Sequence, residues 1–418
     1  MTTIETVPTL DLSPDDLVGV ADELSAYHAI FAPLYTRREQ REWALLYQRG
    51  LVSDLPRKSV EPIVLSLRGA DENAIRAVQQ FVNAGAWDDA AILQRHWQQV
   101  DEEIGDEDGL LLVDGSDFPK KGTESVGVQR QYCGQLGKRA NCQAGVFLGY
   151  ASAYGSTLLD RRLYLPEAWV SDPTFADRRR KCGLPDDIHF QTKPALALEM
   201  LKAVVQAGTL RARWLACDEG FGRDTGFLDA VAELGLYAIA EVPLDTRVWK
   251  ERPQTAVPVW RGRGPKPSKA RVVAEAPAPL TVRALADAVP AAQWQEVAFA
   301  EGAKGMQVAD VKLLRVVSVR DGLPGPEVWL LLRINRETGE LKTFVSNAPE
   351  DVEAERLIRV SAMRWPIEAC FETGKQLLGM GDYEIRSWVG WHHHMTLVIL
   401  AHGFLMRLHR RLKKSQAS

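Results

Sequence analysis

Two apolar runs of the sequence end in a carboxylate followed within two residues by glycine: GLLLVDG, which carries Asp114, and RWLACDEG, which carries Asp218. Both read as central strands, and a carboxylate at the end of a central strand is costly unless a partner or a metal ion compensates the lost hydration. A third carboxylate, Glu368, lies in RWPIEACFETGKQLLG, residues 364–379. Together the three offer only oxygen ligands, which suits Mg2+ or Mn2+ and not zinc. Two such ions about 4 Å apart polarise a phosphodiester, activate a water or a 3′-hydroxyl, and stabilise the leaving oxygen. That is the chemistry of hydrolysis and transesterification of a nucleic-acid backbone.

The element that must position Glu368 is a helix. Pro366 suits a first helical turn, where its missing N–H removes nothing. Ile367, Cys370, Phe371, Gly374 and Leu378 recur at the three-and-four spacing of a face packed on a core. Beside that face Arg364, Glu368, Glu372 and Lys375 form a charged stripe, predicting one helix with Arg364 on it. Taken alone, the stripe also fits an amphipathic helix whose acids pair with Arg364 and Lys375 in solvent, each pair worth about 0.2–0.5 kcal/mol.

The elements around these residues follow from the rest of the chain. Its 418 residues, 46% hydrophobic and 25% charged, are a globular composition with length for two or three domains. With 51 basic and 55 acidic side chains the net charge is -4, so affinity for a polyanion must come from local patches. The five cysteines (Cys133, Cys142, Cys182, Cys217, Cys370) form no C-x-x-C pair and read as small buried apolar residues in a reduced setting. The start lacks a signal-peptide pattern, and the apolar MTLVILAHGFLM is too short to span a bilayer. A cytoplasmic protein without a membrane partner is expected.

Residues 1–105 read as an N-terminal helical domain suited to DNA, with Arg37, Arg38, Arg41, Arg49, Arg57 and Lys58 as a basic cluster. Residues 106–244 alternate short apolar runs with the helical KPALALEMLKAVVQAG, predicting an α/β (α+β) core. Residues 245–347 read as a β-rich insertion, and 348–418 return to the core with the Glu368 helix and a C-terminal helix. The insertion opens with a basic stretch in which Trp249 and Trp260 lie among Arg261, Arg263 and other cations. This predicts an exposed arm whose indoles stack on bases while the cations meet phosphates. Lys120 and Lys121, just after Asp114, are further phosphate contacts, with Arg130 and Lys138 behind them. His392, His393 and His394 are consecutive, so they cannot all face one ion, and they read as surface or DNA-facing residues.

The spacing Arg364, Glu368, Lys375 resembles the R-E-K part of the Y-R-E-K signature of DDE transposases from bacterial insertion sequences. VDGSDFPKKGTESVGVQRQYCGQLGKRANCQ and WLACDEGFG resemble the two aspartate motifs of insertion-sequence family 701, and IRSWVGWHHHMTLVILAHGF resembles its ending. The resemblance implies an RNase H-like catalytic core, and Asp114, Asp218 and Glu368 as a triad holding Mg2+ (or Mn2+), two ions in all. It also implies Arg364 and Lys375 as clamps on DNA-end phosphates. The implied partners are double-stranded DNA with terminal inverted repeats, target DNA and further copies of the chain, on the nucleoid when bound. The signature tyrosine falls at Ser361, and the motif's paired aspartates are replaced by Asp114-Gly115, with Asp117 the alternative ligand. A nuclease without strand transfer and a domesticated DNA-binding relative share most of this pattern.

Overall fold

The three-and-four recurrence near the start of the chain becomes helices α1 (Val20–Ala29), α2 (Arg38–Leu51), α3 (Val60–Arg68), α4 (Glu72–Ala84) and α5 (Asp89–Ile104). Aspartates cap the last two: Asp71 accepts from the Ala74 amide, and Asp88 from those of Ala90 and Ala91. These bonds satisfy N–H groups that a helix start leaves without an intrahelical partner. The computed structural model describes residues 18–260, 262, 266–302 and 305–417. The chain divides into two units: a discontinuous one, with the described residues up to Arg213 and from Trp365 on, and a continuous one, Trp214–Arg364.

In the discontinuous unit the helices are followed by β1 (Leu110–Pro119), β2 (Gln129–Cys133), β3 (Lys138–Ser152) and β4 (Gly155–Tyr164). Strand β3 pairs antiparallel with each of the other three. Leu110–Val113 and Cys142–Ser152 are buried without alternation, the pattern of strands covered on both faces. Then come α6 (Glu167–Ser171), α7 (Ala176–Cys182) and α8 (Lys193–Ala207).

The continuous unit holds β5 (Trp214–Cys217), α9 (Glu219–Gly222), α10 (Thr225–Glu233), β6 (Tyr237–Glu241), β7 (Arg247–Trp249), β8 (Thr255–Ala256), β9 (Arg271–Val272), β10 (Leu280–Thr281), α11 (Val282–Asp287), β11 (Gln295–Gly302), β12 (Gly305–Arg320), β13 (Leu323–Asn335), β14 (Leu341–Ser346) and α12 (Ala354–Ala362). Its strands run in the order β10-β7-β12-β13-β14-β6-β5, with β11 also on β12. Only the β5–β6 pair in this order is parallel, joined by the α9–α10 crossover that a parallel connection requires. Val248, Val282, Leu285, Val316, Val328, Leu330 and Leu332 form its apolar core beneath α11.

The chain then returns to the discontinuous unit as α13 (Trp365–Leu377) and α14 (Trp388–Ala417). Met395, Leu397, Val398, Ile399, Leu400 and Ala401, in the middle of α14, are all at most 1% exposed, so this apolar stretch is buried around its whole circumference. The architecture is mixed α/β, as the alternation of patterns predicts. Among the described residues no helix is long and apolar enough to cross a membrane.

Candidate active site and nucleic-acid contacts

Asp114 does not end its strand, as the apolar run predicts; β1 continues to Pro119. In register, Asp114 faces Phe147 on β3, which faces Arg161 on β4. Directly opposed residues of antiparallel strands project on one face, about 5 Å apart. Asp114 therefore shares its face with the Phe147 ring, which meets Phe371 of α13 at 5.3 Å and Trp391 of α14 at 6.3 Å. The Asp114 carboxylate accepts the Gly115 N–H at 2.7 Å, which fixes its rotamer.

Helix α13 buries the predicted stripe: Ile367, Cys370, Phe371, Gly374 and, just past its end, Leu378. Glu368 and Glu372 are exposed. The helix runs along β1. Ile367 lies against Gly149, which faces Leu112. One turn on, Phe371 meets Phe147, the residue opposite Asp114. One further turn on, Lys375 Nζ donates to the Asp117 carbonyl at 3.1 Å. The contacts advance together along helix and strand, so α13, which bears Glu368, runs alongside β1 over the stretch from Leu112 to Asp117.

Arg364 departs from the expected stripe. It sits in a turn ahead of the helix and belongs to the continuous unit, where its guanidinium lies 4.0 Å from Glu241 at the end of β6. Lys375 keeps its place on the helix but also donates to the Gln135 side chain at 3.2 Å, and burial lowers its pKa. Its ammonium ties α13 to β1 and to the Gly134–Leu136 turn.

Asp218 follows directly on β5, at the carboxyl end of a parallel strand, the edge where open α/β sheets bind ligands. It is also the N-cap of α9, accepting from the Phe221 amide at 3.3 Å. Close packing here demands Gly222, because a Cβ would stand 2.0 Å from the Glu241 carbonyl. Among the described residues no three His, Cys, Asp or Glu side chains are grouped to hold a metal ion. Asp114, Asp218 and Glu368 offer oxygen donors alone, the chemistry that Mg2+ and Mn2+ take.

The expected DNA contacts divide by burial. Lys121 and Trp260 are exposed, Trp260 at 48%. Arg57 is exposed in an ion pair with Glu384. Lys58 is 5% exposed, and its ammonium donates to the carbonyls of Leu51, Ser53 and Leu377. Its three protons are spent on the protein, which removes it from the phosphate contacts. Lys120 donates to the Tyr383 carbonyl at 3.1 Å and lies 3.4 Å from the Tyr383 ring centre, with burial pushing its pKa down to about 8. Trp249 is 3% exposed, paired within the sheet and donating to the Pro277 carbonyl, so it is a core residue and not part of an exposed arm. Arg261 and Arg263 lie outside the described residues.

Ser361, at the signature tyrosine position, is 4% exposed. Its hydroxyl donates to the Ile358 carbonyl at 2.7 Å and accepts from Arg333 at 2.9 Å. Burial pushes the Arg333 pKa down to about 10. The histidine run is interior, contrary to the surface expectation. His393 is 3% exposed, stacked on Trp87 at 3.7 Å, and His394 is fully buried against the Tyr47 hydroxyl at 3.0 Å. The half-buried His392 bonds back to the Trp388 carbonyl. None of the five cysteines forms a disulfide, and all are buried, as expected.

Two placements carry no sequence signal of their own. Lys193, at the first position of α8, has its Nζ 3.8 Å from where a Gly115 Cβ would stand. Arg161, 3% exposed in the Asp114 row, is bonded to Asp160 and Asp89. Asp117, the alternative ligand, accepts the Gly134 N–H at 2.6 Å.

Residues 30–306 match the family described as DDE superfamily endonuclease, a span that includes Asp114 and Asp218 and ends before Glu368. Over 195 residues the chain is 25% identical to a protein of Microchaete diplosiphon described as "Probable transposase for insertion sequence element IS701". That alignment covers 46% of each chain, so it spans about half of the relative. Among solved structures the chain is similar to piggyBac transposase in a synaptic complex with hairpin DNA, at 9% identity and a TM-score of 0.40, covering 96% of this chain and 74% of that one.

Proposed function

The chain belongs to the DDE endonuclease superfamily, and from that premise we propose that it is a transposase that cuts DNA at insertion-sequence ends and joins those ends to target DNA. The observation that carries this reading is the course of α13, the helix that bears Glu368, along β1, the strand that bears Asp114. The proposed core is RNase H-like, interrupted by the β-rich residues 245–347. Asp114, Asp218 and Glu368 would hold two Mg2+ ions, with Mn2+ able to substitute. Such ions, when bound, lower the pKa of an attacking water or 3′-hydroxyl and stabilise the leaving oxygen.

The chain's own contribution is to hold three carboxylates still. Asp114 is fixed by strand register and by the Gly115 amide, Asp218 by its cap bond, and Glu368 by the buried stripe of its helix. Arg364 and Lys375 are proposed for DNA-end phosphates, and Lys121, Arg57, Trp260, Arg261 and Arg263 for the flanking DNA. The proposed partners are double-stranded DNA with terminal inverted repeats, target DNA and further copies of the chain. The proposed place of work is the cytoplasm, on the nucleoid when bound. Incubating the purified chain with candidate element ends, target DNA and Mg2+, then sequencing the products, tests the reading. Joined products are expected. Cut ends that never join would reduce it to a nuclease, and uncut DNA under all divalent ions would overturn it.

A further inference from the structure

The β2–β3 hairpin is tied down at its tip and open on its outside. Asp117 on β1 accepts the Gly134 N–H at 2.6 Å, and Lys375 on α13 donates both to the Asp117 carbonyl at 3.1 Å and to the Gln135 side chain at 3.2 Å. Asp117 is three residues past Asp114, about 10 Å along an extended strand. The turn is thus held about three stacked base steps from the proposed ligand, at 3.4 Å per step along one strand.

The outside of this hairpin has an unusual composition. Tyr132 is 66% exposed and Leu136, at the tip, 45%. Tyr132 lies directly across the strands from Arg139. Arg130, Lys138 and Arg139 are exposed, and among the described residues none has an ion pair or a side-chain hydrogen bond. From Gln129 to Asn141 there is no acidic residue. A single exposed aromatic is ordinary. An exposed ring on one face with the cations Arg130 and Arg139, with no carboxylate along the whole hairpin, complements a polyanion that also offers flat apolar faces. Duplex DNA hides its base faces in the stack, whereas unpaired bases present them.

We propose that the β2–β3 hairpin is a docking surface for unpaired bases at the DNA end: the Tyr132 ring stacks on a base while Arg130 and Arg139, on the same face of the hairpin, hold the neighbouring phosphates. The proposal rests on the DNA-cutting reading above and names the strand form the site handles. Tyr132 is a positioning residue and takes no part in bond breaking.

Binding separates the proposal from the chemistry. Fluorescence anisotropy of the full chain in Ca2+ would compare a labelled blunt duplex with the same duplex carrying a short single-stranded extension. The wild-type chain is expected to prefer the extended form roughly tenfold, within the range measured for a base stacked on an aromatic side chain. Tyr132→Ala should remove the preference and Tyr132→Phe keep it, since the ring face does the stacking. The double change Arg130→Gln with Arg139→Gln should weaken both DNAs and flatten the log–log salt dependence by roughly 1.4–1.8. An abasic extension should bind wild type as weakly as an intact one binds Tyr132→Ala. Equal wild-type affinity for both DNAs overturns the proposal, as does a preference that survives Tyr132→Ala or is lost in Tyr132→Phe. A self-association that disappears in Tyr132→Ala without DNA would assign the surface to a second copy. Failure to bind any DNA would sink the transposase reading as well, whereas binding without preference sinks this inference alone.

Discussion

Asp114 and Asp218 stand in almost the same sequence context, an apolar run, an aspartate and a nearby glycine, yet the two units hold them differently. Asp114 lies within an antiparallel strand that continues for five residues beyond it, locked by cross-strand register. Asp218 follows a four-residue parallel strand and caps the start of a helix, locked by the capping bond. The units differ in their interiors as well. All eight histidines fall outside the continuous unit, whose core is built of aliphatic and aromatic side chains such as Val248, Leu330, Trp249 and Phe344. Around α14 the discontinuous unit instead buries imidazoles among its apolar side chains. Similar sequence motifs can thus be held by different local physics, and substitutions should separate chemistry from support.

The largest effect should be common to both. Asp114→Asn, Asp218→Asn and Glu368→Gln each remove a proposed ligand oxygen and should lower cleavage by on the order of a thousandfold while DNA binding persists. Gel assays of cutting and binding check this, and near-normal cutting by one variant would take that residue out of the site. Next, Trp249→Ala should destabilise the continuous unit by about 3–5 kcal/mol, the usual cost of deleting a buried indole. Hydrogen exchange resolved by peptide should show the loss there, with the peptides of α14 unchanged.

Acid should act on the other unit. Burial lowers the pKa of His96, His393 and His402 to about 4 and of His392 and His394 to about 3. The unfolded chain, with histidines near 6.5, then binds more protons than the folded one. Stability is lost as pH falls from about 6.5 towards 4, by up to about 1.4 kcal/mol per pH unit for each such histidine. Exchange at pH 5 should rise around α14 and not in β12–β14; a uniform rise would break the contrast. The smallest effect concerns the cap. Asp218→Ala should cost roughly 1 kcal/mol of stability and Asp218→Asn almost nothing. Thermal unfolding distinguishes them, and equal midpoints would remove the capping role.

Much of α13 was legible because a buried helical stripe repeats regularly, and Ile367, Cys370, Phe371 and Gly374 obey it. Arg364 was not, because angular spacing extends any stripe backwards past the residue where the helix starts. The end of β1 was misread for a related reason: the apolar run stops at Asp114, but the strand goes on through residues whose pairing with β3 is invisible locally. Trp249 and Lys58 looked like DNA contacts because neighbouring cations suggest solvent, and only the distant strand β12 and the Leu377 carbonyl show that both face inward. The histidines were misplaced because consecutive residues on an exposed helix point apart into water, whereas the stretch of α14 that carries His393 and His394 is buried. Tyr132 has no local signal, since exposure of a strand residue depends on what covers its sheet.

Helix α14 has one more consequence, for the order of synthesis. It packs into helices made at the opposite end of the chain: His394 on Tyr47, His393 on the Val82 carbonyl, Gly403 against Tyr27 and His96. At typical translation speeds α5 and α14 leave the ribosome on the order of tens of seconds apart. Until then the inner faces of the first five helices lack the element that covers them, while the continuous unit, made in between, has all its strands. A nascent or prematurely terminated chain ending before Trp388 would therefore carry the Asp114 strand and the Glu368 helix in a unit that still lacks α14, while Asp218 would lie in a unit whose strands are complete.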